Sequence, residues 1–335
     1  MESVKTDGFP ILALDREGPG VPYTGSLLHR ADRNRENASW LESCRRHPTT
    51  RYLPFRELKV AMCREPLPDL YWVAADRLPD HVTAESASIF LGLDQEGNAC
   101  FAASIAEEDT VLLEPGGAGF VDARSAAAQL GDGRAAIVAQ ARSLLNWNMQ
   151  NPYCARCGAT TRPQNAGSQR RCTSTTCNVV VFPRVDPVVI MLVVSADGQH
   201  CLLGRNPGYP GNLVSALAGY MEPGESIEEA VRREIAEEAG VEIGTVRYFT
   251  SQPWPFPATL MIGCFAVAQQ MTLDVNYNEL EWARWFARGE VQALFAGQSE
   301  ELSAPRPIAI AHHLIKHWLT YGLPAAADSA QARPV

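Results

Sequence analysis

No apolar run in this 335-residue chain reaches the length needed to cross a membrane. Basic residues are also in short supply: 29 Lys and Arg stand against 38 Asp and Glu, a net charge of −9. That balance disfavours an extended grip on a nucleic-acid backbone as the main activity. The first twenty residues lack the acid-poor, basic character of a secretory or transit leader, because they carry Glu2, Asp7, Asp15 and Glu17. The closing Arg333-Pro334-Val335 is not a peroxisomal ending. Cysteine is sparse and odd in number, nine in all, and four of the nine fall at metal-ligand spacing. This argues against a disulfide scaffold and for a reducing interior. A cytoplasmic protein without a membrane partner is the expectation. At this length, with 46% hydrophobic residues, the chain has material for two or three domains with real cores.

What the sequence does have is concentrated between Gly219 and Val241. Ser226 followed by Glu229 forms a capping box, so a helix is expected to start there, and Gly240 is the usual stop. Placed about 100° apart, Ile227, Ala230 and Val231 make one apolar stripe. Glu234, Glu237 and Glu238 each lie one heptad further along that stripe, so the inward face begins apolar and ends in carboxylates. Three like charges on a partly buried face repel one another and lose hydration. With no basic residue on the stripe, a divalent cation is the economical counter-charge, and oxygen ligands favour Mg²⁺ or Mn²⁺ over zinc. Arg233 falls to one side, where pairing with Glu225 would hold the preceding loop.

Residues 1 to 145 read as a domain of their own without obvious chemistry. Leu70–Ala75 is a strand candidate, Ile89–Leu93 and Ala99–Ser104 form a hairpin pair, and Thr110–Leu113 is a further strand. Helices are expected over Ser125–Leu130 and Arg134–Gln150, parted by Gly131-Asp132-Gly133. Cys154 and Cys157, then Cys172 and Cys177, give two knuckles able to surround one Zn²⁺ tetrahedrally. Four thiolates leave no open coordination position, so this site is expected to be structural. Arg162, Arg170 and Arg171 beside it read as a solvated face.

From Arg184 onward strands and helices alternate. The continuous apolar run Val188–Val194 marks a strand buried on both faces. Cys201–Gly204, Val214–Ala218, Thr245–Ser251, Thr259–Ala268 and Glu281–Phe286 complete the strand set. A last helix over Pro307–Tyr321 carries a core stripe, with His312, His313 and His317 as surface or packing residues. The expected arrangement is a layered α/β/α fold. Ser251-Gln-Pro-Trp-Pro-Phe-Pro-Ala-Thr259 stands apart: three prolines at alternate positions predict a stiff, extended segment displaying Trp254 and Phe256 for stacking on a planar ring.

Taken together, the acidic helix, the four-cysteine ribbon before it, Phe182-Pro-Arg-Val-Asp-Pro187 and the proline-aromatic array after it resemble the NADH pyrophosphatase (NudC) family of Nudix hydrolases. The resemblance implies an α+β N-terminal NUDIX-like domain over residues 1–148, a zinc ribbon over 149–183, a Nudix α/β/α sandwich with a mixed sheet over 184–323 and a disordered tail over 324–335. It implies hydrolysis of the NAD(H) pyrophosphate to nicotinamide mononucleotide and AMP, removal of NAD caps from RNA, and a homodimer. By the same resemblance Glu234, Glu237 and Glu238 are metal and catalytic carboxylates, Glu279 is a further metal ligand and the Ala218 carbonyl a backbone metal contact. Gln252, Pro253, Trp254, Pro255, Phe256, Pro257, Ala258 and Thr259 match the substrate loop, while Phe182, Tyr220 and Ala311 match further substrate contacts. Phe182 in place of tyrosine and Thr259 in place of serine depart from the family pattern, and the second cysteine knuckle is longer than usual. Glu234, Glu238 and Glu279 are the expected ligands, with Glu237 either a ligand or the base that activates water. Another nucleoside diphosphate derivative as substrate, or a nucleotide-binding protein without catalysis, are the competing readings.

Overall fold

The computed structural model describes residues 20–63, 66–85, 87–109, 118–131 and 133–323. The chain divides into two compact units, one formed by Met1–Val185 with Pro253–Thr259, the other by Asp186–Gln252 with Leu260–Val335.

In the first unit, helix α1 (Ala38–Arg45) starts where the Asn37 side chain accepts the Trp40 amide. Strands β1 (Arg51–Arg56), β2 (Lys59–Cys63), β3 (Asp69–Leu70) and β4 (Val73–Ala74) follow, then α2 (Asp80–Thr83), β5 (Ser88–Leu93), β6 (Ala99–Ser104) and β7 (Ala118–Val121). They form one sheet ordered β3-β2-β1-β6-β5, with β4 on β1 and β7 on β2. Its β1–β6 pairing is parallel and its other described pairings are antiparallel, so the sheet is mixed. The expected β5–β6 hairpin is present. The expected single strand over Leu70–Ala75 is not: the chain changes partner at Tyr71-Trp72, β3 pairing β2 and β4 pairing β1. The expected strand Thr110–Leu113 lies outside the described residues. Helices α3 (Ala123–Gln129) and α4 (Arg134–Gln150) occupy the places read from the sequence.

Strands β8 (Thr161–Gln164), β9 (Gln169–Cys172) and β10 (Val180–Val181) make a separate antiparallel ribbon. Arg170 is not on a solvated face as its charge suggested. It is buried, donating to the Thr161 hydroxyl (2.7 Å) and carbonyl (3.0 Å) and to Asn148 Oδ1 (3.0 Å). A guanidinium with five donors can be buried when fixed acceptors of this kind surround it.

The second unit contains β11 (Asp186–Val194), β12 (His200–Arg205), β13 (Leu217–Tyr220), α5 (Ile227–Ala239), β14 (Ile243–Trp254), β15 (Thr259–Ala268), β16 (Trp282–Ala287), α6 (Arg288–Phe295) and α7 (Ile310–Tyr321). The sheet order is β14-β15-β11-β12-β16, with β13 also on β11. Along β11 the period-two alternation sorts side chains into two cores. Val189, Met191 and Val193 join Ala230, Val231 and Ile235 of α5 on one face. Ile190, Leu192 and Val194 join Val291 and Leu294 of α6 and Leu314, Ile315 and Trp318 of α7 on the other. Two greasy faces need two covering layers, which is the α/β/α sandwich. Helix α6 had no expected counterpart. The strand expected over Val214–Ala218 begins at Leu217, leaving Ser215 in an isolated bridge to Gly204.

Candidate active site

Helix α5 begins with the expected capping box: Glu229 N–H donates to Ser226 Oγ (3.2 Å) and Ser226 N–H to Glu229 Oε2 (2.7 Å). It ends at Gly240, whose φ of 66° is the left-handed conformation glycine takes without strain. Along the inner face Ala230 and Val231 are fully buried, and Glu234 and Glu238 follow at 7% and 6% exposure. The Glu234 carboxyl lies flat against the backbone of Gly219 on β13. A Cβ at residue 219 would sit 1.9 Å from Glu234 Cδ, so only glycine admits this approach. Gly219 is thus fixed by a residue midway along the helix that follows it.

Arg233 reaches further than a position beside the stripe suggested. Its Nε and one terminal nitrogen grip Glu225 bidentately at 2.5 and 2.8 Å, and the same terminal nitrogen donates to the Tyr220 carbonyl at 2.9 Å. The other terminal nitrogen donates to Glu234 Oε1 (2.9 Å) and Glu237 Oε2 (3.0 Å). The acidic end therefore has one cation beside it, reaching in from off the stripe. The Arg233 guanidinium holds the Glu225 carboxyl well down, at about 2.

Arg233 leaves Glu238 unserved. Glu238 Oε2 is buried without a hydrogen-bond partner. Burial first, then the charges of Glu234, Glu279 and Glu237, push its carboxyl up to about 8, and burial likewise raises Glu234. Glu279 is exposed and sits in a turn tied to the helix end: Asn276 N–H donates to the Glu238 carbonyl at 2.9 Å, and Asn276 Nδ2 to Glu279 Oε1 at 3.0 Å. An orphaned buried carboxylate oxygen beside two more carboxylates is a donor set that fits a hard divalent cation. Among the described residues, however, only the four cysteines bring three or more ligand atoms within 4.8 Å of one another. Glu234 is turned toward Arg233, one terminal nitrogen of which it shares with Glu237.

Beside Glu238 lies a small cleft of about 20 Å³, lined by Gly204, Asn206, Tyr209, Ala216, Leu217, Ala218, Glu238 and Leu280. Ala218, named as a backbone contact, therefore faces the same space as Glu238. Tyr220 is exposed at the end of β13. Ala311 does not face this space. At 2% exposure it belongs to the core beneath α7.

Gln252 is fully buried, with Nε2 donating to the Ile308 carbonyl (2.8 Å) and Oε1 accepting the Ile310 N–H (2.9 Å). Both ends of the amide are thereby used, which makes it a splint rather than an open contact. The segment after it is not uniformly extended either. Strand β14 runs to Trp254, and residues 255–258 turn back into β15, with Pro255 and Thr259 buried. Trp254 and Phe256 pack edge to face at 5.2 Å. Tyr23 closes on both, Arg124 lies 3.7 Å over the Phe256 ring, and Arg142 donates to the Pro255 carbonyl. Half-buried in this cluster, the two rings are less open than the stacking platform expected. Pro253 and Pro257 are exposed and Ala258 is half-buried, while Phe182, at 67% exposure, keeps its ring free.

The four cysteines come together as two facing pairs. Cys154 and Cys177 Sγ lie 3.9 Å apart and Cys157 and Cys172 Sγ 3.5 Å apart. Zinc–sulfur bonds of about 2.3 Å in a tetrahedron separate sulfurs by about 3.8 Å. The ribbon can therefore hold one metal ion.

Two family models match the chain: the NUDIX domain over residues 184–304, and the NADH pyrophosphatase-like rudimentary NUDIX domain over residues 49–147. The NAD-capped RNA hydrolase NUDT12 of Homo sapiens is 36% identical over 342 residues, covering 89% of this chain and 73% of the relative. The chain belongs to the NADH pyrophosphatase family of Nudix hydrolases. The NAD(P)H pyrophosphatase NUDT13 of Homo sapiens, a mitochondrial protein, is 37% identical over 241 residues, 68% of this chain and 66% of its own length. The NAD-capped RNA hydrolase NudC of Mycobacterium bovis is 36% identical over 254 residues, 73% and 79% of the two chains. Among the described residues no helix is long and apolar enough to cross a membrane.

Sequence reasoning did not name Asn206 and Tyr209, which line the cleft beside Glu238. They come from a Gly- and Pro-rich loop between β12 and β13, and no spacing rule ties a loop tyrosine to a helix glutamate thirty residues on.

Two outcomes follow from this geometry. Gly219→Ala should push Glu234 off its seat and lower turnover by roughly 100-fold, the scale set by a misplacement of about 1 Å, with little change in melting temperature. Unchanged turnover would remove the steric argument. Glu238 keeps its proton up to about pH 8 when folded but releases it near 4.3 when unfolded. The folded state thus binds more protons across that window, and stability without added divalent ion should fall as pH rises from about 4.5 to 8. Thermal melts of wild type and Glu238→Gln should diverge over this range, and a constant difference would refute the assignment.

Proposed function

We propose that the chain hydrolyses the pyrophosphate linkage of NAD(H), releasing nicotinamide mononucleotide and AMP, and that it also removes NAD caps from RNA. The observation that carries this reading is the buried acidic end of α5, which closes on a glycine backbone and leaves Glu238 Oε2 unpaired. The substrate class is supported by relatives named for NAD-capped RNA and NAD(P)H across most of the chain. A bound Mg²⁺ or Mn²⁺ would supply neutralisation of the pyrophosphate oxygens and a more acidic water.

Glu234, Glu238, Glu279 and the Ala218 carbonyl are the groups we assign to hold that ion. Glu237, with 54% of its side chain exposed, is held on one side by Arg233 and open to water on the other. It is a further ligand or the base that accepts the proton of the attacking water. Arg233 fixes Glu225, Glu234 and Glu237 in one frame, so the loop before α5 and the acidic residues move together. Tyr220, Phe182, Trp254 and Phe256 keep ring surface for substrate, whereas Gln252, Pro255, Thr259 and Ala311 act by shaping what surrounds them. The cysteine ribbon holds structural Zn²⁺. We divide the chain into a NUDIX-like domain (1–148), ribbon (149–183), catalytic domain (184–323) and tail (324–335), and take the working form to be a cytoplasmic homodimer.

The deciding experiment measures turnover of NADH, NAD⁺, ADP-ribose and NAD-capped RNA side by side with Mg²⁺ and with Mn²⁺. Dinucleotide or capped RNA should exceed ADP-ribose by about tenfold or more, the lower end of what a lost apolar contact costs. Equal rates would show indifference to the nicotinamide half and sink the NAD(H) assignment. Atomic emission should find one zinc per chain in wild type, and Cys157→Ser should lose it together with stability. A metal-free wild type that melts at the same temperature would rule out a structural zinc.

A further inference from the structure

Arg170 and Arg233 spend their donors on fixed oxygens, and Arg205 does the same. Standing at the end of β12, Arg205 braces the loop that follows. Its Nε binds Glu281 Oε2 (2.5 Å), and the terminal nitrogens donate to the carbonyls of Leu213 and Tyr209, both at 3.2 Å. Arg124 and Arg142 of the first unit are placed differently. Arg124 is exposed, and its guanidinium lies over the Phe256 ring, 3.7 Å from the centroid, with the Trp254 ring at 5.8 Å. Arg142 lies 4.6 Å from the same Phe256 centroid, and one of its terminal nitrogens donates to the Pro255 carbonyl. Among the described residues neither guanidinium forms an ion pair. Asp122, the acid whose charge reaches Arg142, gives its Oδ1 to the Arg124 peptide N–H (2.8 Å). Tyr23 steadies the group. Its ring meets Trp254 and Phe256 edge to face at 5.9 and 6.3 Å, and its hydroxyl donates to the Ala123 carbonyl (3.1 Å), next to Arg124.

The face of an aromatic ring attracts a cation, but the ring brings no net charge. Two guanidiniums gathered on one ring are therefore like charges left uncompensated. Burial first, opposed by Asp122 and reinforced by Arg124, holds Arg142 below its usual value. What the arrangement lacks is an anion, and a guanidinium fork matches the paired oxygens of a phosphate. At a net charge of −9 the chain offers an anion no general attraction, so local cations must provide it.

We propose that Arg124, with Arg142 beside it, is a phosphate-binding group on the loop of residues 252–259, with Phe256 as the surface that holds both guanidiniums in place. The inference rests on the reading of that loop as the one that meets substrate. NAD(H) brings its pyrophosphate, and a capped RNA brings in addition the phosphodiester that follows the cap. Either source presents the same chemistry to the fork.

The test uses the full chain, with inorganic pyrophosphate as the probe and no divalent ion added. Under that condition the acidic end of α5 repels the anion, and binding reports on the arginines. Calorimetry or phosphorus magnetic resonance follows wild type, Arg124→Lys and Arg124→Met, the last of which keeps an apolar stem on the ring without the charge. Arg124→Met should weaken pyrophosphate binding by about tenfold or more, the scale of one lost charged hydrogen bond, and flatten its dependence on salt. Arg124→Lys should recover the salt dependence and part of the affinity. KM for NADH and for NAD-capped RNA is measured in parallel at saturating Mn²⁺. A similar rise for both substrates in Arg124→Met identifies the dinucleotide's own pyrophosphate as the ligand, and a rise confined to capped RNA identifies the phosphodiester. Wild-type pyrophosphate affinity in Arg124→Met, or both KM values unchanged, would overturn the proposal. The probe needs no turnover. If wild type cleaves neither substrate and Arg124→Met still loses pyrophosphate, the function proposed above fails and this assignment stands. Should Arg124→Met not fold, as judged by circular dichroism, Arg142→Met is held to the same pyrophosphate outcome.

Discussion

The second unit is organised by one close approach, the carboxyl of Glu234 against a backbone that has no side chain at residue 219. Bringing an acid this near to a strand requires a helix at a set height over the sheet. That height is set in turn by Ala230 and Val231, which are fully buried against Val189, Met191 and Val193. Small residues on the helix lower it onto the sheet, and glycine on β13 lets the carboxyl in. Apolar packing thus does the positioning and the acids take the strain, since neither Glu234 nor Glu238 would choose a site with so little water. Arg233 relieves part of that repulsion from the solvent side. The remainder falls on Glu238.

Much of this was legible in the sequence because it is local. The capping box, the stop at Gly240 and the change from apolar to acidic along α5 depend on spacings within one helix, and helical geometry converts spacing into direction without reference to the rest of the chain. The two-faced burial of β11 was legible for a similar reason: a run of seven apolar residues has no polar side to show. Errors appeared where partner choice decides. Residues 70 to 75 look like one strand by composition, yet two neighbouring strands each claim half. Helix α6 went unread because its apolar positions are few and its start leans on Glu290 reaching back to Ala287. Arg170 was misjudged because burial of a cation depends on acceptors from α4 and β8, which no local rule anticipates.

The proline-aromatic segment shows a different limit. Alternate prolines do restrict the backbone, as expected, but restriction does not say what the rings meet. Trp254 and Phe256 find Tyr23, Arg124 and Arg142, residues distant in sequence that supply an edge and two guanidinium faces. Gln252, just ahead of them, spends both ends of its amide on the chain leading into α7. The stiffness read from the prolines is real. Its origin lies as much in these partners as in the pyrrolidine rings.

Arg205 grips its loop through the carbonyls of Tyr209 and Leu213, and every amino acid carries a carbonyl. At these two points the path of the loop does not depend on the side chain, whereas Asn206 Oδ1, which accepts the Gly208 N–H, and Gly211, at a φ of 55°, add constraints of their own. Tyr209 and Leu213 can therefore change their side chains without losing the carbonyls that Arg205 holds. The brace thus separates what fixes the course of the loop from what its side chains present to the cleft beside Glu238.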